Sequence, residues 1–423
     1  MAERLPSDLD LSGIIRPGAH IVLGHACGEP ITLTQALVAQ RAALGGVSLF
    51  MASAFSATFK PEHADHIRFS SMGAIGTLAR LSRAGVLDII PSHVGQLGAF
   101  MRQGLIPCDV AMIQVSAPGP DGTYSLGLIN DHVQAAIETA DVVIAEISDQ
   151  VPWTHCDRHL TLDDIDWCVE TSRPPVEVKP GEPGEADQKI AGFVGGYIYD
   201  GSTLQLGIGA VPDAVTRLLG DRRDLGIHSG MIGEGVMELM EKGVVTNARK
   251  PIEPGVTVTG AMVGSARFYR FLDRNAQIGV RRSEVTHGTE VLAALPNLVT
   301  INSAIEVDLT GQVNAEQTGT LYLGGTGGQV DYVRAGARSQ GGRSIIALPA
   351  TAKGGELSRI VTALSGPVST ARAEADVIVT EFGTAELKGK SIRDRVAAMI
   401  AIAHPAFREE LERSAHEMMK RGF

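Results

Sequence analysis

The sequence predicts an α/β fold built as two similar open α/β domains with largely parallel sheets. Three observations predict it. Short, almost wholly apolar runs recur along the chain: VSLFM, VLDII, CDVAMIQV and ADVVIAEI early, then VTVTGAMVG, LVTINSAIEV, SIIALPA and ADVIVTEF. Stretches of helical character separate them, and strands covered by helices on both faces read as continuous apolar runs rather than as alternation. A strand–glycine turn–helix unit also occurs twice, as GAHIVLGHACGEP and as GSTLQLGIGAVP, with the second glycine six positions after the first in both. Finally, 423 residues exceed what one ordinary core supports.

Taken in order, the first unit runs from a strand at Gly18–Gly24 into a helix over TLTQALVAQRAAL, and strands and helices then alternate. VSAPGPDGTYSLG breaks the alternation as a Pro/Gly turn with Asp121-Gly122 at its tip. SRPPVEVKPGEPGEADQ, residues 172–188, holds four prolines and many charges with no hydrophobic period, as a surface linker does. The expected domains are 1–185 and 186–423. The second opens with its own strand–turn–helix at Gly201–Pro212 and repeats the alternation.

Composition narrows the function. The chain is 44% hydrophobic and 20% charged, as in globular proteins, and its net charge of −11 leaves no basic excess for neutralising nucleic-acid phosphates. Four cysteines stand without disulfide-like spacing, and no apolar run is long enough to cross a bilayer. The expectation is a cytoplasmic protein that binds neither nucleic acid nor membrane.

Three glycine-rich segments offer sites. LGIGAVPDAV places Gly207 and Gly209 at a strand-to-helix turn, where backbone N–H groups can face an anion or the glycines can serve packing alone. LGGTGGQVDYVR clusters Gly324, Gly325, Gly327 and Gly328 around Thr326. Such a loop lets the main chain approach a ligand and aim donors at an oxyanion, or else is simply flexible. TAKGGELSRI and KGKSIRDR add Lys353 and Lys388 as phosphate-binding candidates in an otherwise acidic chain. Among carboxylates, Glu381 ends the strand ADVIVTEF, where open α/β sheets bind ligands; Glu234 and Glu62 are further candidates. His155, Cys156 and His159 in THCDRH have no second cluster to complete a metal site, and Ser229 lacks the elbow of a hydrolase, so no metal is expected.

The blocks VLGHACGEP, IQVSAPGPDGTYSLG, LQLGIGAVPDAV, INSAIEVDLTGQVNAE, GTGGQVDYVR, SIIALPATAKGGELSRI and VTEFGTAELKGKS occur in this order. Together they resemble the acetyl-CoA hydrolase/transferase family over nearly the whole chain. The resemblance implies a CoA-transferase with acyl-CoA and a small carboxylic acid as substrates, coenzyme A as substrate rather than resident cofactor, and a homodimer or larger assembly. It also implies an active site in the cleft between the domains, carried mostly by the C-terminal one. Gly328 matches the family's oxyanion loop, and Glu381 an active-site glutamate. Gly207, Gly209, Gly325, Gly327, Lys353 and Lys388 would hold the coenzyme.

In such enzymes a glutamate attacks the thioester and becomes, in turn, an acyl anhydride and a glutamyl-CoA thioester. The block that supplies it reads His228-Ser229-Gly230-Met231 here, so glycine occupies the nucleophile's position. Four readings stay open. Glu234 or Glu62 replaces it; the incoming acid, or a water in a hydrolase, attacks directly; the protein binds acyl-CoA without turnover; or position 230 carries a deliberately substituted residue.

Overall fold

A computed structural model describes residues 2–5 and 9–420. The chain forms two compact units, and neither is contiguous in sequence. One comprises Met1–Lys179, Val256–Gly288 and Tyr322–Gly327; the other comprises Pro180–Gly255, Thr289–Leu321 and Gly328–Phe423.

The first unit is built on an eight-stranded sheet of β1 (Glu3–Arg4), β2 (His20–Leu23), β3 (Val47–Phe50), β4 (Ile67–Ser71), β5 (Leu87–Ile89), β6 (Val110–Ser116), β7 (Val142–Ser148) and β8 (Trp167–Thr171). Its order is β1-β8-β7-β6-β2-β3-β4-β5, and every neighbouring pair runs parallel. Helices α1 (Ile31–Gln40), α2 (Leu78–Arg83), α3 (Val94–Arg102) and α4 (Val133–Thr139) make the crossovers. The apolar runs explain the arrangement: all seven residues of VAMIQVS in β6 are buried, and Leu33 and Leu37 of α1 join Ile21, Leu23, Leu49 and Met112 in one core. From β2 the chain winds outward through β3, β4 and β5, then returns to place β6 on the other side of β2. The reversal makes β2/β6 a topological switch point, where open sheets bind ligands outside their carboxyl ends. Within the same unit Thr257–Met262, Ile278–Val280 and His155–Cys156 pair in parallel. Asn130 ties them to the loop after β6, its N–H donating to Gly260 and its side-chain amide to Val280.

The second unit carries α5 (Glu185–Gly195), β9 (Thr203–Gln205), α6 (Ala210–Leu218), β10 (Gly226–Ile232), α7 (Glu234–Glu241), β11 (Leu298–Asn302), α8 (Gln329–Arg338), β12 (Arg343–Ala347), β13 (Val377–Thr380), β14 (Gly383–Glu386), α9 (Ile392–Ile402) and α10 (Pro405–Lys420). Its strands lie in the order β14-β13-β12-β11-β9-β10, parallel except for β14, which folds back on β13. Here the switch point lies between β9 and β11. Both units are therefore open, mostly parallel sheets of the expected class. The strand at Gly201 leads into α6 as the strand at Gly18 leads into α1. Gly209 caps α6 at φ 117°, a conformation that a residue with a Cβ rarely adopts.

Candidate active site

In the second unit the sequence candidates collect at the carboxyl ends of the parallel strands. Gly207 and Gly209 follow β9, Gly230 lies near the carboxyl end of β10, and Glu381 directly follows β13. Gly328 is the half-buried N-cap of α8, whose first-turn N–H groups have no partner within the helix. Gln329 pins this end in place: its amide donates to Ser303 at 2.6 Å and accepts from Thr370 at 3.0 Å. One turn on, the buried Tyr332 hydroxyl hydrogen-bonds the Gly230 backbone, and burial pushes its pKa well up. Half-buried Glu381 accepts the Ala350 N–H at 2.7 Å through Oε2. Its charge acts on Arg359, whose guanidinium is pulled down by burial, an effect that Glu381 opposes. Arg359 itself donates to Ala304 and Ile305 carbonyls, so it braces the loop after β11.

Within the first unit, Gly325 and Gly327 lie over the carboxyl end of β4. Gly73 and Gly325 form an antiparallel bridge, Ala74 donates to Gly324 at 2.7 Å, and Val94 at the start of α3 donates to Gly327 at 3.0 Å. A Cβ on Gly73 would meet the Gly324 carbonyl oxygen at 2.5 Å and Gly325 Cα at 2.8 Å. Two backbones touch here, so glycine at 73 and 325 is a packing requirement, and the loop is anchored rather than flexible. Further bridges, Ala26 to Ala54 and Ala54 to Gly76, join the loops after β2, β3 and β4 into one surface.

Of the other candidates, Glu234 follows the carboxyl end of β10, and the rest lie on further elements. Glu62 sits in a 3-10 turn before β4, at the amino end of that strand, 62% exposed and 3.8 Å from Lys60. Glu234 opens α7, where its charge and that of Glu238 act on Asp213 of α6; burial first, then these carboxylates, raises the Asp213 pKa. Lys353 is exposed, and Lys388, beyond β14, donates to Ala337 near the carboxyl end of α8. Its placement is that of a helix C-terminal cation.

Two constellations escaped sequence reasoning. His25, Asp131 and His132 gather in the first unit, all buried, with ligand-type atoms within 4.8 Å of one another. His25 Nε2 lies 2.8 Å from Asp131, its Nδ1 lies 3.1 Å from Ser53, and its ring stacks on His132 at 4.7 Å and 19°. Both rings face the one carboxylate, with His132 Nδ1 3.0 Å from Asp131 Oδ1. No local motif could announce residues 106 positions apart. In THCDRH, by contrast, His159 stacks on Trp153 and Cys156 faces Ser125. The second is Glu29, 2% exposed at the end of the loop after β2, near Glu146 of β7. A glutamate directly before a helix-launching proline at a strand's carboxyl end was a signal available in GEP.

Comparison with known proteins identifies the family. The acetyl-CoA hydrolase/transferase N-terminal domain model matches residues 2–180, and the C-terminal domain model matches residues 264–415. The 4-hydroxybutyrate coenzyme A transferase of Clostridium kluyveri is 39% identical over 397 residues, 93% of this chain and 92% of that protein. Among solved structures, RipA from Yersinia pestis superposes with a TM-score of 0.93 at 31% identity, over 99% of this chain and 98% of RipA. The 4-hydroxybutyrate CoA-transferase of Porphyromonas gingivalis gives 0.83 at 34% identity, over 100% and 98%. The chain belongs to the acetyl-CoA hydrolase/transferase family.

Proposed function

We propose that this protein is an acyl-CoA:carboxylate CoA-transferase that moves CoA between a short-chain acyl-CoA and a small carboxylic acid without a glutamate nucleophile at position 230. The observation that carries the reading is the 39% identity to a 4-hydroxybutyrate coenzyme A transferase across 93% of the chain. Position 230 offers only backbone, and the Tyr332 hydroxyl holds that backbone in place. Of the replacement carboxylates, Glu62 stands exposed at the amino end of β4, and Glu234 lies in like-charged surroundings. Direct attack by the incoming acid is therefore the route we favour.

In that route the carboxylate oxygen of the acid attacks the thioester carbonyl. The C–S bond breaks, giving a mixed anhydride of the two acids and CoA thiolate. The thiolate then attacks the acceptor's own carbonyl, which releases the donor acid and leaves the acceptor as its CoA ester. Carboxylates are ionised at neutral pH, so no base is needed. Donors at the start of α8, beginning at Gly328, would stabilise the developing oxyanion. Glu381, fixed by the Ala350 N–H, would orient the reacting groups, and Gly207 and Gly209 would approach the coenzyme. Hydrolysis is the second reading, favoured by the same missing side chain: a water at position 230 would release free CoA.

The test is incubation of the protein with acetyl-CoA or succinyl-CoA, with and without a panel of acids. A new acyl-CoA formed only in the presence of acid supports transfer. Free CoA released without acid identifies a hydrolase, and binding with neither product overturns catalysis.

A further inference from the structure

Gln205 is the last residue of β9 and Asn302 the last of β11, the strands that flank the second unit's switch point. Gln205 pairs in register with Thr300, so Asn302 shares its face of the sheet, one pleat nearer the carboxyl end. There the two side-chain amides bond reciprocally. Asn302 Nδ2 donates to Gln205 Oε1 at 3.0 Å, and Gln205 Nε2 donates to Asn302 Oδ1 at 3.4 Å. Gln205 is 3% exposed, whereas Asn302 is half-buried. A side-chain amide offers more donors and acceptors than one reciprocal bond uses. Asn302 therefore keeps an N–H that meets no further side chain or carbonyl among the described residues.

The loops that leave these strands carry the glycine candidates of the same unit. Gln205 runs directly into the turn of Gly207 and Gly209, and Gly209 is exposed with nothing near its would-be Cβ. Asn302 is followed by Ser303, whose carbonyl accepts from Gln329, the residue after Gly328. Thr300, on the shared face, has its hydroxyl 3.1 Å from where a Cβ on Gly336 of α8 would stand, so α8 covers this face. The amide pair thus stands at the strand ends between the Gly207 turn and the start of α8, where open parallel sheets bind ligands. Neither member of the pair is charged. An uncharged N–H held in place at such a point suits a neutral carbonyl better than a phosphate or a carboxylate.

We propose that Asn302, held by Gln205, recognises the pantetheine arm of the acyl-CoA: its remaining N–H donates to an amide carbonyl of that arm. The proposal rests on the transferase reading and adds to it a residue that selects coenzyme A esters over thioesters without amides. A thioester whose carbonyl meets the first N–H groups of α8 draws its pantetheine arm past Asn302. Binding energy from the arm, remote from the reacting bond, then serves to orient the thioester carbonyl.

The experiment measures kcat/KM for acetyl-CoA, S-acetyl-N-acetylcysteamine and S-ethyl thioacetate at fixed butyrate, in the wild type, Asn302→Leu and Asn302→Ser, with Tm recorded alongside. Acetyl-CoA and the cysteamine ester carry an amide beyond the sulfur, and S-ethyl thioacetate carries none. Loss of one hydrogen bond predicts a fall of about tenfold for the amide-bearing esters in both variants, with S-ethyl thioacetate within about twofold of wild type. An equal fall for every ester, tracking a lower Tm, would mean that the pair only ties β9 to β11 and would overturn the proposal. No change for any ester would overturn it too. Where Asn302→Leu fails to fold, Asn302→Ser, which keeps a polar group on a shorter side chain, carries the test. Where the wild type forms no new thioester from any of them, the transferase reading falls on its own. Calorimetry of pantetheine binding then decides: affinity weakened in Asn302→Ser upholds the site, and equal affinity or absence of binding overturns it.

Discussion

Replacing Gly73 with alanine tests how the glycine loop is held. The added methyl would lie 2.5 Å from the Gly324 carbonyl oxygen and 2.8 Å from Gly325 Cα, both backbone atoms that no rotamer change can move aside. Relief to ordinary contact needs the two segments to part by roughly 1 Å. That movement stretches the 2.7 Å bond from Ala74 to Gly324 and breaks the Gly73–Gly325 bridge. Overpacking costs about 1–3 kcal/mol, and an orphaned backbone donor costs about 1–3 kcal/mol more. The sum, about 2–6 kcal/mol, lowers Tm by roughly 4–24 °C in a domain of this size. Thermal unfolding followed by circular dichroism reads the stability, and CoA transfer at a temperature where the variant stays folded reads the loop. Gly192→Ala is the matched control: that glycine is exposed on α5 with nothing near its would-be Cβ, so alanine should stabilise by up to ~1 kcal/mol. A Gly73→Ala protein with unchanged Tm and full activity would refute the close-approach argument.

Three further outcomes follow from the same geometry. Glu381→Gln keeps an oxygen for the Ala350 N–H, so its stability should stay within about 1 kcal/mol of wild type, while Glu381→Ala should lose about 1–3 kcal/mol. If the carboxylate acts in transfer, both lose activity, and activity that tracks stability alone would show a purely structural role. Burial pushes the Cys27 thiol up to about 11 from an ordinary value of 9.0, so the folded state holds that proton more tightly than the unfolded chain. Stability is therefore intact below pH 9 and declines by about 3 kcal/mol as pH rises from about 9 to 11. Urea titrations should show a flatter alkaline slope for Cys27→Ala. Gly230→Glu should raise transfer activity and create a borohydride-reducible glutamyl-CoA; an inactive, unlabelled variant would mean that the surrounding geometry does not fit such a nucleophile.

The parallel sheets were legible because strands buried on both faces leave uninterrupted apolar runs: VAMIQVS and ADVVIAEI became β6 and the strand beside it. The position of Glu381 at the end of a buried strand was legible because ADVIVTEF runs uninterrupted up to it. The glycines of LGGTGG could be found but not interpreted from sequence. Whether they face a ligand or another backbone depends on Gly73, some 250 residues earlier, as the close approach makes plain. Local charge marks Lys388 as a phosphate candidate but does not show that its ammonium reaches the end of α8. His25, Asp131 and His132 meet only through the β2–β6 adjacency, and Glu29 gains its character from Thr34, Ser56 and Glu146 on three different elements. Contacts of that kind belong to topology, which periodicity and motifs do not encode.

The central claim is transfer of CoA to an acid without a covalent enzyme intermediate, and initial-velocity kinetics address it most directly. With acyl-CoA and acid varied together, direct attack requires both substrates on the enzyme at once. The account predicts intersecting double-reciprocal lines, with new acyl-CoA formed only when acid is present. Parallel lines, accompanied by enzyme-bound CoA after exposure to acyl-CoA alone, would contradict it.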